Sequence, residues 1–266
     1  MGGGGGTHAA HCISMSATLT LLRLRPDLPG LARAATRRGF LPPGGDTGYA
    51  LHAGLAALFG AAAPRPFVLR EMSDGAELLG YSVASTEELR TLAALLPTGE
   101  GADLAASLRP ESLEAKPMPT TWRPGLRLGF MVRVRPVVRA RPQGRDGPHR
   151  EHDLFAHLRH RASDGMVLSR EAVYRDWLAR SLGREGAAVL ETAALLAYRS
   201  SRVLRRPAQG ATRRVAIIEG PDATFAGVLR IGEAEAFGRL LATGLGRHRG
   251  FGFGMLLLSP PGATPC

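Results

Sequence analysis

The sequence predicts an α+β fold of two βαββαβ units in tandem, each ferredoxin-like (RRM-like). Three observations lead there. The chain has 266 residues, 44% of them hydrophobic, enough for two small domains with their own cores. In the first half, apolar patterns of period 2 and period 3.6 alternate in the order strand, helix, strand, strand, helix, strand. The second half repeats that order with little residue similarity.

In the first half, residues 17–24 (ATLTLLRL) alternate as a strand, and a Pro/Gly-rich loop runs on to Gly48. Helix 49–60 (YALHAGLAALFG) follows, with Leu51, Leu55, Leu58 and Phe59 on one face and Asp46 or Thr47 as its cap. Strands 66–72 and 78–85 are joined by the turn residues Ser73, Asp74 and Gly75. A second helix starts at Ser85 or Thr86, with Glu88 in capping-box position, and runs to Leu96 before Pro97. The run 126–138 (LRLGFMVRVRPVV) reads as the closing strand. The second half offers a helix at 169–183, strands at 188–199, 213–220 and 224–231, a helix at 233–243 and a strand at 251–258. The expected organisation is a disordered tail over 1–14, with Met15 a plausible initiator, a first domain over 15–140, a connection over 141–165 and a second domain over 166–266.

Formal net charge is +11, and Lys116 is the one lysine, so the basic residues are otherwise arginines. Such a balance favours a polyanionic partner, and arginine pairs bidentately with phosphate. Cys12 and Cys266 alone build neither a disulfide framework nor a four-ligand zinc site. No apolar run approaches the roughly 18–20 residues of a membrane span. The start, MGGGGGTHAAHCIS, lacks the basic and apolar regions of a signal peptide, and Gly6 stands where a myristoylation motif wants Ser or Thr. A cytoplasmic protein without membrane contact is expected. His8, His11 and Cys12 read as part of the tail rather than as metal ligands. His149, His152, His157 and His160 read as a solvated basic segment, because Arg150, Arg159 and Arg161 would repel a cation.

Three features carry chemistry. The run GLGRHRGFGFGMLLL (244–258) follows a helix, with Gly244 suited to a C-cap. It sets Arg247, His248 and Arg249 on a loop that includes Gly246. Gly250, Gly252 and Gly254 then alternate with Phe251, Phe253 and Met255. In a strand, that alternation bares one face to close approach by another backbone or an RNA; a tight turn into a core strand fits equally. The second feature is an arginine cluster, Arg199, Arg202, Arg205, Arg206, Arg213 and Arg214, in a stretch with no acid between Glu191 and Glu219. Pro207, Gln209 and Gly210 suggest a hairpin tip, and a basic hairpin can lie along a nucleic-acid groove; a solvated basic face is the other reading. The third is Tyr49 and His52, one turn apart at the edge of the apolar stripe. An early helical histidine feels the positive end of the helix dipole, which favours the neutral imidazole a general base needs.

The YxxH of Tyr49 and His52, the run 244–258 and the doubled ferredoxin layout together resemble CasE, the repeat-processing endoribonuclease of type I-E CRISPR systems. The resemblance covers about residues 15–260. It implies metal-independent cleavage of precursor CRISPR RNA at the base of the repeat hairpin, without a cofactor or metal. In that chemistry a 2′-hydroxyl attacks the adjacent phosphate and leaves a 2′,3′-cyclic phosphate, with His52 and Tyr49 as the matching catalytic residues. It further implies retention of the CRISPR RNA beside other Cascade subunits. A non-catalytic RNA-hairpin scaffold is the alternative, and a metabolic enzyme binding a small anion at the glycine-rich loop is a weaker third.

Overall fold

The computed structural model describes residues 18–41, 46–95, 97–140, 150–162, 167–205 and 216–263. The tail 1–14, Met15, His149, Arg206, Arg213 and Arg214 lie outside the described residues, as does much of the expected connection. Two four-stranded antiparallel sheets carry the chain, each covered by helices.

The first unit contains β1 (Thr20–Leu24), α1 (Leu28–Arg37), α2 (Gly48–Phe59), β2 (Phe67–Met72), β3 (Gly75–Ser82), α3 (Thr86–Ala94), α4 (Ala102–Ser107) and β4 (Glu114–Pro117). Its strand order β2-β3-β1-β4 is that of a ferredoxin-like sheet. Helix α2 buries Leu51, Leu55, Leu58 and Phe59, the stripe its periodicity predicts. Ser85 Oγ accepts from the Glu88 amide at 3.1 Å and starts α3. Helix α1 lies where the sequence reading places a loop. Proline in a first turn is compatible with a helix, and Leu31, Ala34 and Ala35 form a short buried stripe behind Pro29 and Gly30.

The second unit contains β5 (Arg127–Val134), β6 (Val137–Ala140), β7 (Arg150–Asp153), α5 (Leu154–Arg161), α6 (Arg170–Leu182), β8 (Ala188–Arg205), β9 (Ala216–Ile231), α7 (Ala234–Thr243) and β10 (Leu257–Ser259). The order β10-β5-β9-β8 repeats the first sheet's pattern, with the β6-β7 hairpin and α5 inserted after the first strand. The run 126–138 therefore does not close the first sheet. Its main part, β5, pairs with β9 and β10 and opens the second unit. The first sheet is closed by β4, a short and largely exposed EAKP segment without apolar alternation. By sheet membership the units meet between β4 and β5, not near 140.

Two further corrections concern the second unit. From Ala216 on, the expected strands at 213–220 and 224–231 join within the single strand β9, through Pro221; residues 213–215 lie outside the described residues. There β9 pairs with β8 alone, because its pairing with β5 stops at Ala223, and an edge position tolerates a missing amide donor. Nor is 251–258 one strand. Residues 249–251 make a 3-10 turn, Gly252 and Gly254 have φ of 87° and 79°, and only Leu257–Ser259 is extended.

One core lies under the first sheet, around Leu22, Leu24, Leu51, Leu55 and Phe67. The other spans both units, joining Val68 and Tyr81 to Phe130, Phe225, Phe237, Met255 and Leu256. The buried Tyr81 hydroxyl donates to the Leu256 carbonyl at 3.0 Å, one polar bond inside this shared core. No helix among the described residues is long and apolar enough to cross a membrane. Tyr81→Phe removes that bond and leaves a buried carbonyl unpaired, so urea denaturation is expected to show a loss of about 1–3 kcal/mol. A loss near zero would mean that Leu256 finds another donor.

Candidate active site

The site forms where the start of α2 meets the loop after α7. Asp46 stands before α2 and its Oδ1 accepts from the Gly48 amide at 2.6 Å, so Asp46 rather than Thr47 supplies the side-chain bond at this end. The Asp46 amide donates to the Arg202 carbonyl of β8 at 3.2 Å. Helix and loop come very close: a Cβ on Gly48 would lie 2.4 Å from the Phe251 carbonyl oxygen. Glycine at 48 is therefore a packing requirement.

Arg133 on β5 holds this junction. Its guanidinium makes a bidentate pair with Asp222 on β9, with distances of 2.8 and 2.7 Å, and it also bonds Asp46. The Asp222 and Asp46 side chains are only 4% and 6% exposed. Burial alone would raise the Asp222 carboxyl; Arg133 and Arg199 outweigh it and hold the group below the usual carboxylate range. The Arg133 carbonyl accepts from the Gly254 amide at 2.7 Å, and its guanidinium lies 4.3 Å from the Phe253 ring centroid. Gly254 needs its positive φ here, and a Cβ would collide with the Leu245 carbonyl at 2.2 Å.

Tyr49 and His52 both face Phe251. The Tyr49 ring stacks on it at 6.1 Å and 19°, and the His52 ring meets it edge-on at 5.3 Å. Tyr49 and His52 lie 6.3 Å apart, centroid to centroid. The pair suggested by YxxH is thus brought together, with Phe251 as its platform. His52 is the fifth residue of α2, beyond the first turn. Burial, and then the positive charge of Arg65, push its imidazole below the ordinary 6.5. These causes replace the helix terminus invoked from sequence.

A cavity of about 290 Å³ opens beside this platform, bordered by Arg65, Gly246, Arg249, Gly250 and Phe251. A Cβ on Gly250 would lie 3.6 Å from both His52 Nδ1 and Arg65 Nε. Arg65 is exposed and makes no ion pair with a described residue. Sequence reading missed it; its one signal is a lone arginine between Pro64 and Pro66 at the mouth of β2.

The remaining candidates divide. His248 Nε2 lies 2.7 Å from Glu151 Oε2, and Arg247 Nε bonds Glu151 Oε1 at 2.5 Å. Burial would raise the Glu151 carboxyl, but the His248 and Arg247 contacts prevail and bring it down to about 2. These two residues thus fasten the glycine-rich loop to β7. Glu151, also missed from sequence, is an acid between Arg150 and His152. Arg249 donates to the Thr243 carbonyl at 2.7 Å. Gly244 ends α7, and its amide donates to the Leu240 carbonyl at 2.7 Å, as a helix C-cap does. Arg199 and Arg202 pair with Asp222 and Glu219 on the opposite strand, at 2.8 and 3.1 Å, yet stay 67% and 50% exposed. Arg205 ends β8 at the base of the hairpin tip. Among the described residues no group of three or more His, Cys, Asp or Glu could hold a metal.

Arg133→Met leaves the buried carboxylates of Asp46 and Asp222 with only the largely exposed Arg199 beside them, so a stability loss of about 3–5 kcal/mol is expected in chemical denaturation. Adding Asp222→Asn should recover part of it, giving a coupling energy of at least about 0.5 kcal/mol. Strict additivity would mean that the two groups act separately.

A family profile described as "CRISPR associated protein" matches residues 21–260. No curated protein matches the chain in sequence. Among solved structures, the chain shares the fold of the CRISPR endoribonuclease Cse3 bound to a 19-nucleotide RNA, with a TM-score of 0.57 and 20% identity over 91% of this chain and 100% of that one. Cse3 of Thermus thermophilus, bound to an RNA representing a pre-cleavage complex, gives 0.55 and 18% over 91% and 100%. Cas6e of Escherichia coli K-12 gives 0.53 and 20% over 91% and 99%. The doubled ferredoxin-like layout is the fold of these structures, and the chain belongs to the CRISPR associated protein family.

Proposed function

We propose that this protein is an endoribonuclease that processes CRISPR RNA, cutting at the base of a repeat hairpin and then holding the product as part of a surveillance complex. The observation that carries the reading is the seat of Tyr49 and His52 on Phe251, beside a cavity edged by Arg65, which makes no ion pair with a described residue. Membership of the family and the likeness to Cse3 with bound RNA supply the substrate class. A fold shared with a CRISPR RNA-guided surveillance complex subunit, at a TM-score of 0.52, supports the assembly.

In this chemistry the nucleophile belongs to the substrate, so the enzyme contributes position, proton transfer and charge. Neutral His52 takes the proton of the 2′-hydroxyl as its oxygen bonds phosphorus. The bond from phosphorus to the 5′-oxygen breaks, and the imidazolium returns a proton to the departing oxygen. The products are a 2′,3′-cyclic phosphate and a 5′-hydroxyl. Tyr49 orients the reacting group, and Arg65 faces the charge that builds on the phosphate. No step draws on a metal or cofactor. Arg199 and Arg202 hold the stem, together with Arg205 and with Arg206, Arg213 and Arg214, which lie outside the described residues. A guanidinium with one edge on a carboxylate keeps other donors for phosphate. Arg247 and His248 act mainly by setting the loop through Glu151.

Incubation with a cognate repeat RNA in EDTA should give cleavage by the wild type and at least a hundredfold loss with His52→Ala, in line with a general base worth about 10²–10⁴. Tight, salt-sensitive binding with the RNA left whole would instead select the non-catalytic scaffold. The rate should fall as pH drops below the His52 pKa, since the imidazole must be neutral. Arg65→Gln removes a repelling charge and so should move this acid limb to higher pH while lowering the plateau rate; an unmoved limb would remove Arg65 from the site.

A further inference from the structure

A second cavity, of about 280 Å³, adjoins the first. It lies between the end of α6 and α7, with Ser181, Arg184, Arg239 and Thr243 on its walls, and the two cavities share Gly246 and Arg249. Gly246 and Arg249 thus stand between the cavity beside His52 and the one that reaches Arg184. Its charges are uneven. The acid on its wall, Glu185, is engaged by Arg239 at 2.8 Å, and Arg247 is engaged by Glu151. Arg65, Arg249 and Arg184 make no ion pair with any described residue. Arg249 is partly buried between the other two and fixed by its bond to the Thr243 carbonyl. Cations so placed, without a carboxylate partner among the described residues, repel one another, and an anion with several charges along its length relieves that repulsion.

We propose that Arg249 and Arg184 form a second phosphate subsite, which holds the single strand of RNA that runs on from the cut. The ligand is a phosphodiester chain rather than a lone phosphate, because the second cavity adjoins the one beside the reacting site and the free cations are divided between the two. The proposal rests on the cleavage reading for the identity of the strand. Arg239 belongs to the wall but is already neutralised, so Arg184 is the residue that discriminates.

The test compares a repeat hairpin that stops at the base of its stem with one that carries a single-stranded flank. Binding is measured with His52→Ala protein, and a gel of the same samples reports whether the RNA stays whole, which bears on the cleavage reading separately. The flanked RNA should bind more tightly and with a steeper salt dependence. With Arg184→Ala added, the affinity advantage of the flank should shrink by about three- to fivefold, the scale of one exposed ion pair. The salt slope for the flanked RNA should fall by about 0.7, the value for one single-strand phosphate contact. Arg184→Lys, which keeps the charge, should retain that slope. A flank that confers no advantage on the parent protein, an Arg184→Ala variant that weakens both RNAs equally, or a Lys variant that behaves as Ala does would each overturn the subsite.

Discussion

The site depends on the placement of one buried guanidinium. Arg133 sits on the first strand of the second unit, yet its side chain reaches Asp46, at the start of the helix that carries Tyr49 and His52. The same side chain pairs with Asp222 on the long hairpin, and its backbone carbonyl fixes Gly254. Helix, hairpin and glycine-rich loop are therefore registered on a single residue. A buried ion pair of this kind adds little net stability, because desolvation offsets attraction. Its effect is on geometry: an arrangement that separated any of the three would strand a charge in the interior.

The rest of the electrostatics is a division between engaged and free arginines. Those that build the protein meet carboxylates: Arg133 with Asp222, Arg247 with Glu151, Arg202 with Glu219. Arg65, Arg184 and Arg249, on the walls of the two cavities, make no ion pair with a described residue. The balance of +11 means that carboxylates cannot neutralise every arginine, and the contrast shows where some of the excess lies. Burial and the Arg65 charge push the His52 imidazole below its ordinary value, and in the proposed reaction the same arginine faces the phosphate. A cation that repels imidazolium and attracts phosphate suits a reaction that begins with a neutral base and builds negative charge.

Much of the fold was legible because strong periodicity decides the larger elements. The stripe of α2, the Ser85 cap and the helix 234–243 fell where their patterns put them. The misses have specific causes. Strand β4 is four residues long and mostly exposed, so it has no alternation to read, and the apolar run after it was credited to the wrong sheet. Pro29 and Gly30 hid α1. Pro221 looked like the end of a strand because its tolerance depends on β5 stopping at Ala223, a fact of tertiary pairing. The glycine alternation at 250–254 fits a strand and a tight turn equally by spacing, and positive φ at Gly252 and Gly254 makes it the turn. At the site, YxxH was readable because both residues share one helix. Arg65, Glu151 and Arg133 were not, since each gains its role from partners far away in the chain.

The central claim is that helix α2 and the glycine-rich loop form one centre where a substrate hydroxyl does the cutting. Single-turnover cleavage of a repeat hairpin carrying one 2′-deoxy nucleotide on the 5′ side of the cut tests it most directly. The account requires that this RNA bind as tightly as the unmodified one and stay whole. Cleavage at the unmodified rate would mean that the nucleophile comes from elsewhere, and the assignment of His52 would fall with it.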